Sequence, residues 1–226
     1  MDIIRRSTGR CAPREHPARP LLKGRRLARK RKPRLCDNPC MRLFVGIPLS
    51  GQVTCELASI SQRLRSSGDG FRWTIGESWH ITLQFLGNAE QEQYECVLAR
   101  LRQLHLPPVP IGFEGLGFFD RAGVVFVGVK VSPELLLLQK RVTEATALCG
   151  FVPEARAYQP HLTLARSKGQ RQGLNALKAK IPRQASFTGF VAEEFLLYES
   201  FLGSTGSRYE VRGRFALNGG HQRTSG

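Results

Sequence analysis

Short segments with an alternating apolar pattern take turns with longer segments whose apolar residues recur every three to four positions. On that alternation the sequence predicts an α+β fold, with helices packed against antiparallel or mixed sheet. Two further observations agree. The chain is long enough, at 226 residues and 41% hydrophobic, to bury a core of its own. Its patterned segments are also punctuated by Pro, Gly and Ser at the positions where strands and helices should stop. No stretch approaches the roughly 18 consecutive apolar residues of a membrane span, and the longest runs are short, such as Leu135–Leu138.

The pattern begins near residue 40. Residues 1–40 hold 13 Lys+Arg against 3 Asp+Glu, with prolines at 13, 17, 20, 33 and 39 and the run Arg25-Arg26-Leu27-Ala28-Arg29-Lys30-Arg31-Lys32. Such a segment buries too little to offset its ordering entropy, so it is expected to be disordered alone. Three readings are open for it: an RNA-tethering arm, a targeting segment, or a translation of sequence upstream of the real start. Met41, directly before the first strand, favours the last. Most of the formal charge of +16 therefore belongs to this extension, and +6 remains over residues 41–226. Arg5-Arg6 is followed by no apolar stretch, so no secretory signal is expected. Six cysteines (Cys11, Cys36, Cys40, Cys55, Cys96 and Cys149) show no repeated CxxC spacing, which predicts reduced thiols in a cytoplasmic protein. Cys36-x3-Cys40 with His16 lacks the spacing of a zinc knuckle.

From Met41 the elements follow in order. Leu43–Ile47 reads as a strand closed by Pro48. Ser50 caps a helix that places Val53, Leu57, Ile60 and Leu64 on one face. A loop at 66–70 precedes a short strand around Phe71–Thr74, and His80–Leu86 is a strand ending at Gly87. Glu90–Leu104 is a helix with Tyr94, Val97, Leu98 and Leu101 inward. Val109–Phe113 and Val124–Val131 read as strands. Ser132-Pro133-Glu134 starts a third helix, with a cap, a proline at the first helical position and an acid near the positive end, and Gly150 stops it. His161–Leu164 is a short strand and Gly173–Lys180 a weak helix. Phe187–Ser200 with Tyr209–Leu217 closes the domain as a hairpin, leaving 219–226 as a tail.

The chemistry lies in a near-repeat: Trp79-His80-Ile81-Thr82-Leu83 and Pro160-His161-Leu162-Thr163-Leu164. On a strand, alternate residues share a face. His80 and Thr82 then point one way and Ile81 and Leu83 the other, with the same division for His161 and Thr163 against Leu162 and Leu164. Gln84 and Ala165 continue the two histidine faces. One His-x-Thr on a strand is weak evidence, since a single His more often serves packing or the surface. Two copies 81 residues apart, each set in apolar flanks, are far harder to obtain by chance. His16, His105 and His221 have no such context. Two imidazoles can hold one neutral and one protonated member near neutral pH, as concerted general acid and base catalysis requires. Neither segment has Asp, Glu or Cys beside it, so no metal site is expected. Thr82 and Thr163 suit anion donation, and Arg166 offers a fork for phosphate, although its strand parity is opposite to that of His161. The residues alone leave open which histidine is the acid.

These segments resemble the paired signatures of the two-histidine (2H) phosphoesterases, most closely the RNA 2′,3′-cyclic phosphodiesterase branch, also called 2′-5′ RNA ligases. The similarity extends over Met41-Arg-Leu-Phe-Val-Gly-Ile-Pro48, His80-Ile-Thr-Leu-Gln-Phe-Leu-Gly87, Tyr158-Gln-Pro-His-Leu-Thr-Leu-Ala-Arg166 and Ser207-Arg-Tyr-Glu210, and not over residues 1–40. The resemblance implies a bilobal domain over 41–218, with two pseudo-symmetric lobes of mainly antiparallel sheet and outer helices around a central groove. It implies hydrolysis of an RNA 2′,3′-cyclic phosphate to a 2′-phosphate without metal or cofactor. In that scheme His80 is the proton donor, His161 the proton acceptor, and Thr82, Thr163 and Arg166 hold the phosphate. The expected partner is RNA, including tRNA halves, acted on by a monomer with no membrane association. Within the same superfamily, 2′-5′ ligation or hydrolysis of cyclic nucleotides or 2′-5′ oligonucleotides is the alternative. From another class, a non-catalytic module that binds RNA ends would use the same strands. Phe85, Phe119 and Phe126 could carry a base or belong to the core.

Overall fold

The computed structural model describes residues 40–66, 70–168, 171–181, 186–203 and 206–219, and for 171–174 the backbone alone. The expectations for residues 1–39, including the basic run, and for 220–226 lie outside the described residues.

Strand β1 (Met41–Pro48) is a run of large apolar residues buried over Leu43–Ile47, as suits a central strand covered on both faces. It lies between β3 (His80–Ala89) and β9 (Glu194–Leu202), and β10 (Ser207–Ala216) closes a four-stranded sheet in the order β10-β9-β1-β3. The second sheet runs β2-β7-β6-β5, from β2 (Phe71–Trp73), β7 (His161–Ser167), β6 (Val124–Val129) and β5 (Phe113–Phe119). A two-stranded piece joins β4 (Val109–Ile111) to β8 (Phe190–Ala192). Every pairing is antiparallel. The lobes are not the two halves of the chain: β2 crosses from the first half to the second sheet, and the β9–β10 hairpin returns to the first. Each signature strand thus sits in its own sheet.

Helix α1 (Gly51–Leu64) starts where the Ser50 hydroxyl accepts from the Val53 amide at 3.4 Å, and it buries Val53, Leu57, Ser61 and Leu64. Helix α2 (Gln91–Leu101) begins with a reciprocal capping box between Glu90 and Gln93. Helix α3 (Pro133–Ala147) has the expected Ser132 cap, 3.1 Å from the Leu135 amide, with Pro133 in the first turn. Helix α4 (Arg171–Lys180) completes the set.

The cysteine expectation is overturned. Cys96 on α2 and Cys149 just beyond α3 form a disulfide, with Cα atoms 5.8 Å apart. The two helices pack together, so residues 53 positions apart meet with the separation a disulfide needs. Local spacing contains no trace of such a pairing. Cys40 and Cys55 are free and exposed. Two other readings change. The β5 strand was hidden by Gly115 and Gly117, which lower strand propensity, yet the space over Gly117 is used: a Cβ there would stand 2.5 Å from the Phe126 ring, which would have to shift. And β3 runs past Gly87, whose positive φ of 79° lets the strand bend and continue to Ala89. No helix among the described residues is long and apolar enough to cross a membrane.

Candidate active site

Strands β3 and β7 begin with the same six-residue burial sequence, half-buried, buried, half-buried, buried, buried, exposed. Ile81 and Leu83, and likewise Leu162 and Leu164, are at most 2% exposed and anchor the strands. His80 with Thr82 and His161 with Thr163 face the opposite way, as alternation predicts, and all four line one groove of about 410 Å³. The break in alternation at the fifth residue has a cause in the ladders. Gly46 pairs with Thr82 while Val45 pairs with Gln84, and Phe126 pairs with Thr163 while Val125 pairs with Ala165. Each signature strand therefore carries a bulge just after its threonine, at Leu83 and at Leu164.

A bulge adds one residue and inverts the facing of the residues beyond it. Gln84 and Ala165 consequently leave the histidine face, against expectation. Gln84 is 7% exposed and meets the Thr146 hydroxyl of α3 at 2.7 Å, and Ala165 enters a core cluster with Leu64, Phe71, Val125 and Leu177. The sixth residue of each strand turns to the groove instead. Arg166, whose parity stood against it, lines the groove with both histidines. Its positional counterpart on β3 is Phe85, which lines the same groove and is 63% exposed.

The two imidazoles are held by one device. His80 Nδ1 lies 2.9 Å from the Ser78 carbonyl and His161 Nδ1 lies 2.8 Å from the Gln159 carbonyl, two residues upstream in both cases. A carbonyl only accepts, so each Nδ1 carries a proton and Nε2 is left to take or give one. Their surroundings differ. Phe44, Tyr198 and Tyr209 pack around His80 with ring centroids 4.5, 5.5 and 5.1 Å away. This burial pushes the His80 pKa down to about 4, with the His161 and Arg166 charges acting the same way and the Ser78 hydrogen bond opposing them. His161 meets the edges of Phe119 and Phe126 at 5.0 and 5.6 Å, and these two rings stack on each other.

Residues that sequence reasoning left without a role tie the strands to each other. The Tyr158 hydroxyl donates to the Thr82 carbonyl at 3.0 Å, and burial pushes its phenol pKa up, so the donor proton stays in place. Thr74 does the corresponding work at the other bulge. Its hydroxyl stands 2.8 Å from both the Thr163 and Leu164 carbonyls, and its amide donates to Leu164 at 2.8 Å. Thr74 in turn accepts from the Trp79 indole at 2.7 Å. A bulge frees carbonyls from the ladder, and here hydroxyls from outside the strand meet the carbonyl of each signature threonine. The only sequence signal for this was an aromatic close before each histidine. Among the described residues, no group of three or more His, Cys, Asp or Glu is placed to hold a metal ion.

Chemically, the groove offers two proton carriers, two hydroxyls and a guanidinium to one anion. Comparison with known proteins identifies the family. The family model of the 2′-5′ RNA ligase superfamily matches residues 56–199. An RNA 2′,3′-cyclic phosphodiesterase of Archaeoglobus fulgidus is 31% identical over 173 residues, covering 75% of this chain and 97% of the relative. The Escherichia coli RNA 2′,3′-cyclic phosphodiesterase is 30% identical over 180 residues, covering 78% and 96%. Among solved structures, E. coli LigT in complex with 3′-AMP superposes with a TM-score of 0.67 at 24% identity, covering 79% of this chain and 98% of LigT. A Thermus thermophilus protein superposes with a TM-score of 0.64 at 26% identity, covering 80% and 100%.

Proposed function

The chain belongs to the 2′-5′ RNA ligase superfamily, and from that premise we propose that it hydrolyses the 2′,3′-cyclic phosphate at an RNA end to a 2′-phosphate. One observation carries the reading: two strands with the same burial sequence and the same bulge bring His80, Thr82, His161, Thr163 and Arg166 to one groove. That set matches the needs of a cyclic phosphodiester. Water attacks phosphorus as His161 Nε2 takes its proton. The bond from phosphorus to O3′ breaks, and His80 Nε2 gives a proton to the departing oxygen. Thr82, Thr163 and Arg166 hold the non-bridging oxygens as charge accumulates on them. The 2′-oxygen keeps the phosphate. Both signature strands come from one chain, which supports action as a monomer.

The test is an RNA oligonucleotide ending in a 2′,3′-cyclic phosphate, with the terminus identified after incubation. A positioned acid or base contributes about 10²–10⁴-fold, so His80→Ala and His161→Ala each remove at least about 99% of turnover. Retention of more than about a tenth in either variant refutes the acid–base pair. The superfamily takes its name from ligation, and joined 2′-5′ products from RNA halves in the same assay would favour that reaction instead.

A further inference from the structure

A second cavity opens directly beside the groove. It has a volume of about 620 Å³ and shares Thr82, Phe85 and His161 with the groove. Its other walls come from the β5–β6 turn, one face of α3 and the 153–159 loop. Of these walls, Tyr158 and Gln159 position Thr82 and His161 in the groove, and the rest have no part in the chemistry assigned to it. We propose that this cavity is the subsite for the RNA strand on the 5′ side of the cyclic phosphate, so that the protein acts on oligonucleotide ends in preference to cyclic mononucleotides. This inference rests on the cyclic-phosphodiesterase reading of the groove.

Four observations support it. First, the cavity is continuous with the groove at His161 and Thr82, so a strand whose terminal phosphate lies between the histidines has this space open to it. Second, Phe85 stands on the shared rim. It is the one aromatic among the large exposed hydrophobic residues described, at 63% exposure, on the strand that carries His80. The bulge after Thr82 turns Phe85 to the groove just as the bulge after Thr163 turns Arg166. One lobe thus presents a guanidinium at this position and the other a largely exposed ring, tilted against Phe44 at 5.8 Å, which suits stacking on a nucleobase of any identity. Third, Arg121 and Arg156 line the cavity, are exposed, and form no ion pair among the described residues. The acids in the wall offset them incompletely, because Asp120 is engaged by Lys178 at 2.7 Å and Glu154 is left as the single opposing charge. Fourth, the volume lies within the range of about 300–1,000 Å³ usual for ligand sites. Two cations beside a stacking ring and next to a phosphodiester centre fit a phosphate-linked nucleotide, and a cyclic mononucleotide has no second phosphate to place there.

The experiment compares kcat/KM for adenosine 2′,3′-cyclic phosphate and for a trinucleotide ending in the same cyclic phosphate, at fixed low salt. The expected result is a preference of at least tenfold for the trinucleotide. Phe85→Ala and the double variant Arg121→Ala/Arg156→Ala should each bring that ratio down towards one, and the effect of the arginine variant should fade as salt rises. Equal kcat/KM for both substrates in the unmodified protein overturns the subsite and leaves the cyclic-phosphodiesterase reading standing. A preference that survives in both variants also overturns it. Hydrolysis of neither substrate refutes the underlying reading of the groove, which is a separate result.

Discussion

Removing one hydroxyl tests whether the bulges are built for catalysis. In Tyr158→Phe the ring keeps its packing, but the Thr82 carbonyl loses the donor that holds it at 3.0 Å. Leaving such a carbonyl unpaired costs about 1–3 kcal/mol of stability. Thr82 itself is one of the proposed phosphate donors, and loss of a donor of this type is worth about 2–4 kcal/mol in the transition state. A displaced hydroxyl should forfeit part of that, on the order of tenfold in kcat, with KM changed less because the rest of the substrate is still gripped. The assay is steady-state hydrolysis of a cyclic-phosphate RNA end, with thermal unfolding measured alongside. The decisive comparison adds Thr82→Val. If Tyr158 acts through Thr82, the two substitutions share one effect, and Tyr158→Phe costs little more in the Thr82→Val background. Additive losses in kcat, or a variant that melts lower while kcat stays within twofold, would refute the reasoning and reduce Tyr158 to a packing residue.

Two other outcomes are expected of the groove. Arg166→Lys should lower kcat/KM at least tenfold, because a point charge replaces a planar fork that can hold two phosphate oxygens at once; kcat/KM within twofold of the unmodified protein would remove Arg166 from the site. Stability should also depend on pH through His80, whose pKa is about 4 in the folded protein against an ordinary value of 6.5. Between those values the unfolded chain binds more protons, so the contribution is full above pH 6.5 and is lost as pH falls through about 4. The two and a half units correspond to about 3 kcal/mol. Chemical denaturation across that range should show the loss in the unmodified protein and a flatter profile in His80→Gln; equal slopes in the two would exclude His80 as the cause.

Most elements and the central pair of histidines were legible because they depend on local pattern. Alternation identifies the inner face of β3 and β7 for Ile81, Leu83, Leu162 and Leu164, and caps identify the starts of α1 and α3 at Ser50 and Ser132. What the sequence hid is what depends on pairing between distant segments. The Leu83 and Leu164 bulges exist only in the register with β1 and β6, so the turn of Gln84 into the core and of Phe85 to the groove could not be seen in β3 alone. The Cys96–Cys149 bond depends on α2 meeting α3. Thr74 looked like the end of a short strand, and its partners lie 89 and 90 residues away on β7.

The structural likeness of the two lobes makes their electrical difference informative. Both imidazoles are fixed through Nδ1 by the carbonyl two residues upstream, so hydrogen bonding does not distinguish acid from base. Burial does. His80, enclosed by Phe44, Tyr198 and Tyr209, rests neutral at pH 7. A proton donor in that position must therefore gain its proton when the substrate arrives. The substrate can supply the driving force: one negative charge about 4 Å away, in an effective dielectric of about 20, is worth about 4 kcal/mol. At 1.36 kcal/mol per unit that is about three units, enough to lift His80 from about 4 to near neutrality. With the groove empty, the neighbouring His161 and Arg166 charges push the other way. Burial first, and then the charges of His161 and of the Arg166 guanidinium proposed to hold the phosphate, disfavour a proton on His80 while the groove is empty, so on the proposed mechanism His80 protonation is coupled to occupancy of the site.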